Sequence, residues 1–104
     1  MIARVWHGWA PAGTADAYEA ELRTAVLPGL RGVDGYRGAL VLRRREGEEV
    51  AFVTVTYFQS EEAIRAFAGE DVERAVVTPA AREVLSRFEE RARHYEVAIA
   101  PDEV

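Results

Sequence analysis

Residues 36–58 read YRGALVLRRREGEEVAFVTVTYF, and this run decides the fold. In an extended chain, its second half puts Val50, Phe52, Thr54, Thr56 and Phe58 on one side. Ala51, Val53, Val55 and Tyr57 fall on the other. β-Branched and aromatic residues dominate Glu49–Phe58, which is the composition of a strand. Tyr36–Arg45 reads the same way, with Tyr36, Leu40 and Leu42 on one side and Ala39 and Val41 on the other. Glu46-Gly47-Glu48 is a short glycine-containing connection that suits a β-hairpin. A sheet with one face in water alternates apolar and polar residues, and this hairpin does not. Each face therefore needs a cover. Helices of the same chain supply one, and a second copy of the chain is the simplest cover for the other. At about 25 cal/mol per Å², an apolar patch on the order of several hundred Å² is too favourable to leave wet. The pattern predicts a homodimer.

Upstream, Ile2–Trp9 (IARVWHGW) reads as a strand that ends in the breaker cluster Ala10-Pro11-Ala12-Gly13. Thr14 then has the character of an N-cap, and Asp16 in the first turn favours the helix dipole. Tyr18, Leu22, Ala25, Val26 and Leu30 recur at helical spacing. Pro28-Gly29 is expected to end this helix near Val26 or Leu27, because proline disfavours the α region for its predecessor. Downstream, Ser60 caps a helix with Ala63, Ile64 and Phe67 on one face, and Gly69 is its stop. Asp71–Val77 reads as a short extra turn. Thr78-Pro79 opens a helix carrying Ala81, Val84, Leu85 and Phe88. Arg91–Ile99 reads as the last strand, expected at an edge beside the third, and residues 101–104 as a tail. The order βαββαβ predicts an α+β, ferredoxin-like domain over residues 2–100: an antiparallel four-stranded sheet with helices on one face.

The 104 residues include 13 basic groups, all arginine, against 18 acidic ones, for a net charge of −5. Cysteine, lysine and asparagine are absent. Disulfides, thiolate metal sites, Schiff-base chemistry and a P-loop are thereby excluded. The acidic balance argues against nucleic acid as a partner. No apolar stretch approaches the ~20 residues of a membrane span, so a cytoplasmic protein is expected. Ser60 is a cap and Ser86 lies on a predicted helix, without a nucleophile elbow. No glycine-rich phosphate loop is present.

Four stretches together resemble the antibiotic biosynthesis monooxygenase domain family over residues 2–98. They are IARVWHGW, LPGLRGVDGYRGALVLRRR, EEVAFVTVTYFQSEEAIRAFAGEDVERAV and FEERARHYEV. The resemblance implies a dimeric α+β barrel. It also implies a small cofactor-independent monooxygenase acting on an aromatic or quinone-like metabolite. The alternative is a non-catalytic dimer that binds a hydrophobic small molecule. Haem-degrading members carry an asparagine where this chain has His7, a tryptophan where it has Phe67, and the haem-ligating histidine where it has Val77. On that comparison haem is not expected, and no other cofactor is.

His7 and His94 are the only histidines. Each has the residue type for moving a substrate proton near neutral pH, against the plainer reading of a buried or interfacial histidine hydrogen-bonded to a backbone carbonyl. Glu96 is the one carboxylate near His94, too little for a metal site. Trp6 and Trp9 fall on opposite faces of the first strand, one towards the helices and one towards the partner. Tyr57 and Phe67 lie where the family places pocket residues. The expected substrate contacts are therefore Trp6, Trp9, Tyr57 and Phe67, with His94 and His7 as candidate bases. A helix-facing pocket of roughly a few hundred Å³ with a histidine and a tyrosine favours the enzyme, and a filled core counts against it. Arg43-Arg44-Arg45, close to Glu46, Glu48 and Glu49, reads as an ion-paired hairpin tip.

Overall fold

The computed structural model describes residues 1–104. Three long strands, β1 (Ile2–Pro11), β2 (Tyr36–Glu46) and β3 (Glu49–Phe58), join two short ones, β4 (Arg87–Phe88) and β5 (Arg93–Glu96). All pairings are antiparallel, in the order β2-β3-β1-β4, and β5 also pairs with β1. The α+β, ferredoxin-like arrangement read from the sequence is the one observed, with the helices on one side of the sheet. No helix is long and apolar enough to cross a membrane.

The β2–β3 hairpin closes over Gly47-Glu48, where Gly47 has φ 63°, the sign a tight hairpin needs at its first turn position. On β3 the helix-facing residues Val50, Phe52, Thr54, Thr56 and Phe58 are all buried. On β1 the same face carries Arg4 opposite Thr56 and Trp6 opposite Thr54. The other face carries Val5, His7 and Trp9 on β1, Val53, Val55 and Tyr57 on β3, and Leu40 and Leu42 on β2.

The helical layer departs from expectation in its boundaries. α1 (Ala15–Glu21) runs through a π-helical turn (Leu22–Val26) into α2 (Leu27–Leu30), so Pro28-Gly29 does not end the segment. The Leu27 N–H reaches back five residues to the Leu22 carbonyl. That wider turn restarts the helix with Pro28 in a first turn, where no N–H is needed. Thr14 sits at the N-cap position, but its hydroxyl donates to the Val84 carbonyl at 2.8 Å and caps nothing. α3 (Glu61–Ala68) is capped as read, the Ser60 Oγ accepting from the Ala63 N–H at 3.2 Å, and ends at Gly69 with φ 91°. α4 (Pro79–Val84) starts on the Thr78 cap but stops four residues short of Phe88.

The stop has a non-local cause. β3 occupies one edge of β1, and the free edge captures the following chain. Ser86 N–H donates to the Trp9 carbonyl at 2.8 Å and Glu89 N–H to the His7 carbonyl at 3.0 Å. The last strand is therefore broken into β4 and β5, giving five strands instead of four. It lies beside β1, not beside β3 as the sequence reading had it.

Two core clusters form between sheet and helices. One holds Tyr18, Leu22, Val50 and Phe52, among others, with the Tyr18 ring edge-on to Phe52 at 4.8 Å. The second holds Leu30, Phe58, Ala63 and Ile64. Between them the sheet floor turns polar: Arg4, Thr54 and Thr56 are all buried there.

Candidate functional site

The interruption of the core is a cleft. Its floor is Arg4, Trp6, Thr54 and Thr56, and its walls are Tyr18, Leu22, Val26 and Leu30 on one side and Phe67 and Val76–Thr78 on the other. The cavity holds about 50 Å³, room for a few waters and too small for a ring system. The pocket expected for an enzyme was several times larger and carried a histidine. This one has Tyr18 and no histidine on its wall.

Arg4 is the polar centre of the cleft, and sequence reading missed it. The residue is 4% exposed. Its Nη1 donates to the Val72 carbonyl and, at 2.9 Å, to His94 Nε2, and its Nη2 donates to the Arg74 carbonyl at 2.6 Å. The guanidinium carbon sits 5.6 Å from the centre of the Phe67 ring, within cation–π range. Burial lowers the Arg4 pKa from its ordinary value; a guanidinium remains charged regardless. Arginine has no acceptor, so His94 Nε2 must accept and the proton of the neutral imidazole is on Nδ1. Burial, and then the Arg4 charge, hold the His94 pKa below its ordinary value. His94 thus stands behind Arg4 with its Nε2 lone pair already used.

Two further polar groups complete the floor. Thr54, 9% exposed, has an Oγ1 with no partner at normal hydrogen-bond geometry, although the Tyr18 phenol lies near enough to interact with it. The Tyr18 phenol is pushed up to about 12 by burial, so it is a neutral donor at any physiological pH. The Trp6 indole N–H is occupied, donating to the Glu89 carbonyl at 2.6 Å, which leaves the ring as an apolar wall.

Of the six candidate residues, the structure brings Trp6 and Phe67 to the cleft and His94 to its rear. The other three face away. His7, Trp9 and Tyr57 lie on the opposite side of the sheet, because side chains alternate along β1 and β3 and their neighbours Trp6, Gly8, Thr56 and Phe58 point inwards. His7 Nδ1 is 2.8 Å from Glu89 Oε1, and the His7 ring stacks near Trp9 with centroids 6.4 Å apart. No three His, Asp or Glu side chains converge as a metal-ligand set. At the hairpin tip, Arg43 pairs with Asp16 and Glu19 of α1, and Arg44 with Glu46.

A family model described as antibiotic biosynthesis monooxygenase matches residues 1–79. The chain belongs to that family. The matched span of this monooxygenase-family chain carries the cleft floor, Phe67 and Val77, and ends before His94. No curated protein sequence matches it. Among solved structures, the haem degrader MhuD from Mycobacterium tuberculosis, with two haems bound in its active site, is 22% identical with a TM-score of 0.65. That alignment covers 96% of this chain and 98% of MhuD. An MhuD variant with two manganese protoporphyrin IX bound per active site is 23% identical, with a TM-score of 0.68 over 96% and 97% of the two chains. Rv0793, also from Mycobacterium tuberculosis, is 18% identical, with a TM-score of 0.63 over 96% and 97%.

These neighbours correct one expectation. Haem had been set aside because Val77 stands where a ligating histidine is found in haem-degrading members. A fold shared with two haem- or metalloporphyrin-bound structures overturns that exclusion. A single axial nitrogen is one contribution to holding a flat macrocycle; apolar walls and polar anchors are others. A missing histidine therefore does not remove haem from the ligands to be tried.

Proposed function

We propose that this chain carries out a monooxygenase-type oxidation of a flat, hydrophobic metabolite held between sheet and helices, with haem among the candidate substrates. One observation carries the reading: two aromatic rings, Trp6 and Phe67, and one buried cation, Arg4, share the wall of a single cleft. The rings supply apolar stacking area and Arg4 a fixed charge in a water-poor site, where electrostatic stabilisation acts most strongly. Entry requires a wall to move. Val76–Thr78 belong to the stretch between α3 and α4 that forms no helix or strand, so they are the wall with least backbone support. Family membership and the haem-bound neighbours support the class of chemistry.

A second reading, a binder that transforms nothing, has its own observation. No side chain on the cleft wall is a base at neutral pH: Arg4 is a cation, the Tyr18 phenol titrates at about 12, and His94 Nε2 is engaged by Arg4. Titrating haemin (with ascorbate as electron donor), an anthrone and a hydroxynaphthoquinone separates the two, with tryptophan fluorescence reporting binding and an oxygen electrode reporting turnover. The expected result is micromolar binding of at least one ligand together with oxygen uptake. Phe67→Ala should weaken that binding by about tenfold, roughly 1.4 kcal/mol. Binding without oxygen uptake selects the second reading. Failure of all three to bind at millimolar concentration overturns the cleft as a ligand site.

The apolar outer face of the sheet belongs to the same proposal as the contact with a second copy. Leu40 and Leu42 are 47% and 49% exposed there, beside Val53 and Val55. His7, Trp9 and Tyr57 then serve the subunit contact and not the cleft.

A further inference from the structure

Arg4 has more hydrogen-bonding capacity than its protein surroundings use, and no carboxylate pairs with it directly; Glu73 favours its charge only from beyond ion-pair distance. A guanidinium carries five N–H donors. Three are taken, by the carbonyls of Val72 and Arg74 and by His94 Nε2, which leaves the Nε–H and one N–H on Nη2. None of the ion pairs in the molecule includes Arg4, whereas Arg23, Arg43, Arg44, Arg65, Arg87, Arg91 and Arg93 all have carboxylate partners. Arg4 is the one buried arginine, and it stands without a paired carboxylate. Burying a charge without a counter-charge is costly, and the cost is offset when an anion arrives.

The second observation is independent of the first. Thr54 Oγ1 is buried with no partner at normal hydrogen-bond distance on the same cleft floor, two pairs along the β1–β3 ladder from Arg4 and Thr56. A hydroxyl there can donate to an oxygen that Arg4 also holds. Around these groups the cleft is apolar: Trp6, Leu22, Val26, Leu30, Phe67 and Val77.

Resting on the cleft reading above, we propose that Arg4 is the specificity-determining residue, selecting ligands that bear an ionised oxygen (phenolate, enolate or carboxylate) on a flat apolar body, with Thr54 as the second donor. The assignment also resolves the missing base. A ligand that arrives ionised needs no proton taken from it, and Arg4 stabilises the electron-rich anion in place.

The experiment is a matched pair of probes: a hydroxynaphthoquinone that is ionised at neutral pH, and its neutral methyl ether. Wild type is expected to prefer the ionised probe by about tenfold or more, the scale of a charge-assisted hydrogen bond. Arg4→Gln should abolish that preference while retaining the affinity for the ether. Because Arg4 also ties residues 72–74 to β1, Arg4→Gln is checked by circular dichroism. Thr54→Val, isosteric and without the backbone ties, carries the test if the first variant unfolds. It should weaken the ionised probe several-fold and leave the ether unchanged. Equal affinity of wild type for both probes overturns the Arg4 assignment and leaves the cleft reading intact. Loss of both probes to the same degree in Thr54→Val also overturns it. If neither probe binds wild type, the cleft reading falls first and the assignment with it.

Discussion

His94 was read from the sequence as a candidate base, and its surroundings make it a positioning residue instead. Its Nε2 accepts from Arg4, so protonating it breaks the bond that helps hold the guanidinium in place. The groups facing it are Arg4 from β1, which depresses its pKa, and Glu73 and Glu61, from the loop after α3 and from α3, which oppose that; burial is the largest influence. The sign follows from linkage. The unfolded chain protonates His94 near the ordinary histidine value of 6.5, and the folded chain only at lower pH. The folded state therefore binds fewer protons, and the His94 contribution to stability, present above about 6.5, is lost as pH falls towards the folded value. Thermal melts between about pH 5 and about pH 8 should show wild type losing more stability on acidification than His94→Gln, which keeps an acceptor that does not titrate. Parallel profiles would refute the role. The same pair shows why the site was only half legible. Trp6 and Phe67 announce themselves by residue type, but Arg4 in a strand reads as a surface charge. Its burial comes from partners 68, 70 and 90 residues away in sequence.

Several local signals were read correctly, though the Thr14 cap and the Pro28-Gly29 stop were not, and the features decided by distant backbone were missed. Ser60 and Thr78 cap their helices as their neighbours suggest, and the 36–58 hairpin forms with its expected faces except at Tyr36, which the irregularity before Gly38 turns to the helix side with Phe58, away from Leu40 and Leu42. The end of α4 was misplaced because the free edge of β1, some 77 residues earlier by the Ser86–Trp9 contact, pulls residues 86–89 into the sheet. Helical periodicity at Leu85 and Phe88 carries no trace of that edge. Gly35, just before β2, is a local feature with a measurable cost. It has φ 91°, a Cβ placed on it would lie 2.7 Å from the Ala63 Cβ, and its carbonyl accepts from the Gln59 N–H at 2.8 Å. Both the backbone angle and the contact with α3 require the missing side chain. Gly35→Ala should lower stability by about 1–3 kcal/mol, read as a drop in the urea midpoint. Gly13→Ala, with no positive φ and nothing within 4 Å, is the control and should be neutral or slightly stabilising. Equal midpoints for the two variants would show that the Gly35 turn relaxes without cost.

At the scale of the whole molecule, the sheet has one covered face and one open one, and the open face has an apolar centre. The helix side carries Arg4, Thr54 and Thr56 at its centre, while the open side presents Val5, Val53, Val55, Leu40 and Leu42. A closed two-fold contact places the same patch on both copies, so every substitution counts twice. Changing Leu40 and Leu42 to glutamate sets four carboxylates into an apolar contact, each costing on the order of several kcal/mol if buried unpaired. Both leucines are about half exposed in a single copy, so the fold of each subunit should survive. Light scattering should report twice the chain mass for wild type at micromolar concentration and a single mass for the double variant, with circular dichroism unchanged. The wild-type melting temperature should rise with protein concentration, and that of the variant should not, because association stabilises only the folded state. If two copies cover this face, His7 and Trp9 should become protected from solvent, which tryptophan fluorescence quenching reads directly. A wild-type chain that scatters as one copy at micromolar concentration would overturn the covered face, and would leave His7, with its Glu89 partner, as a group facing water.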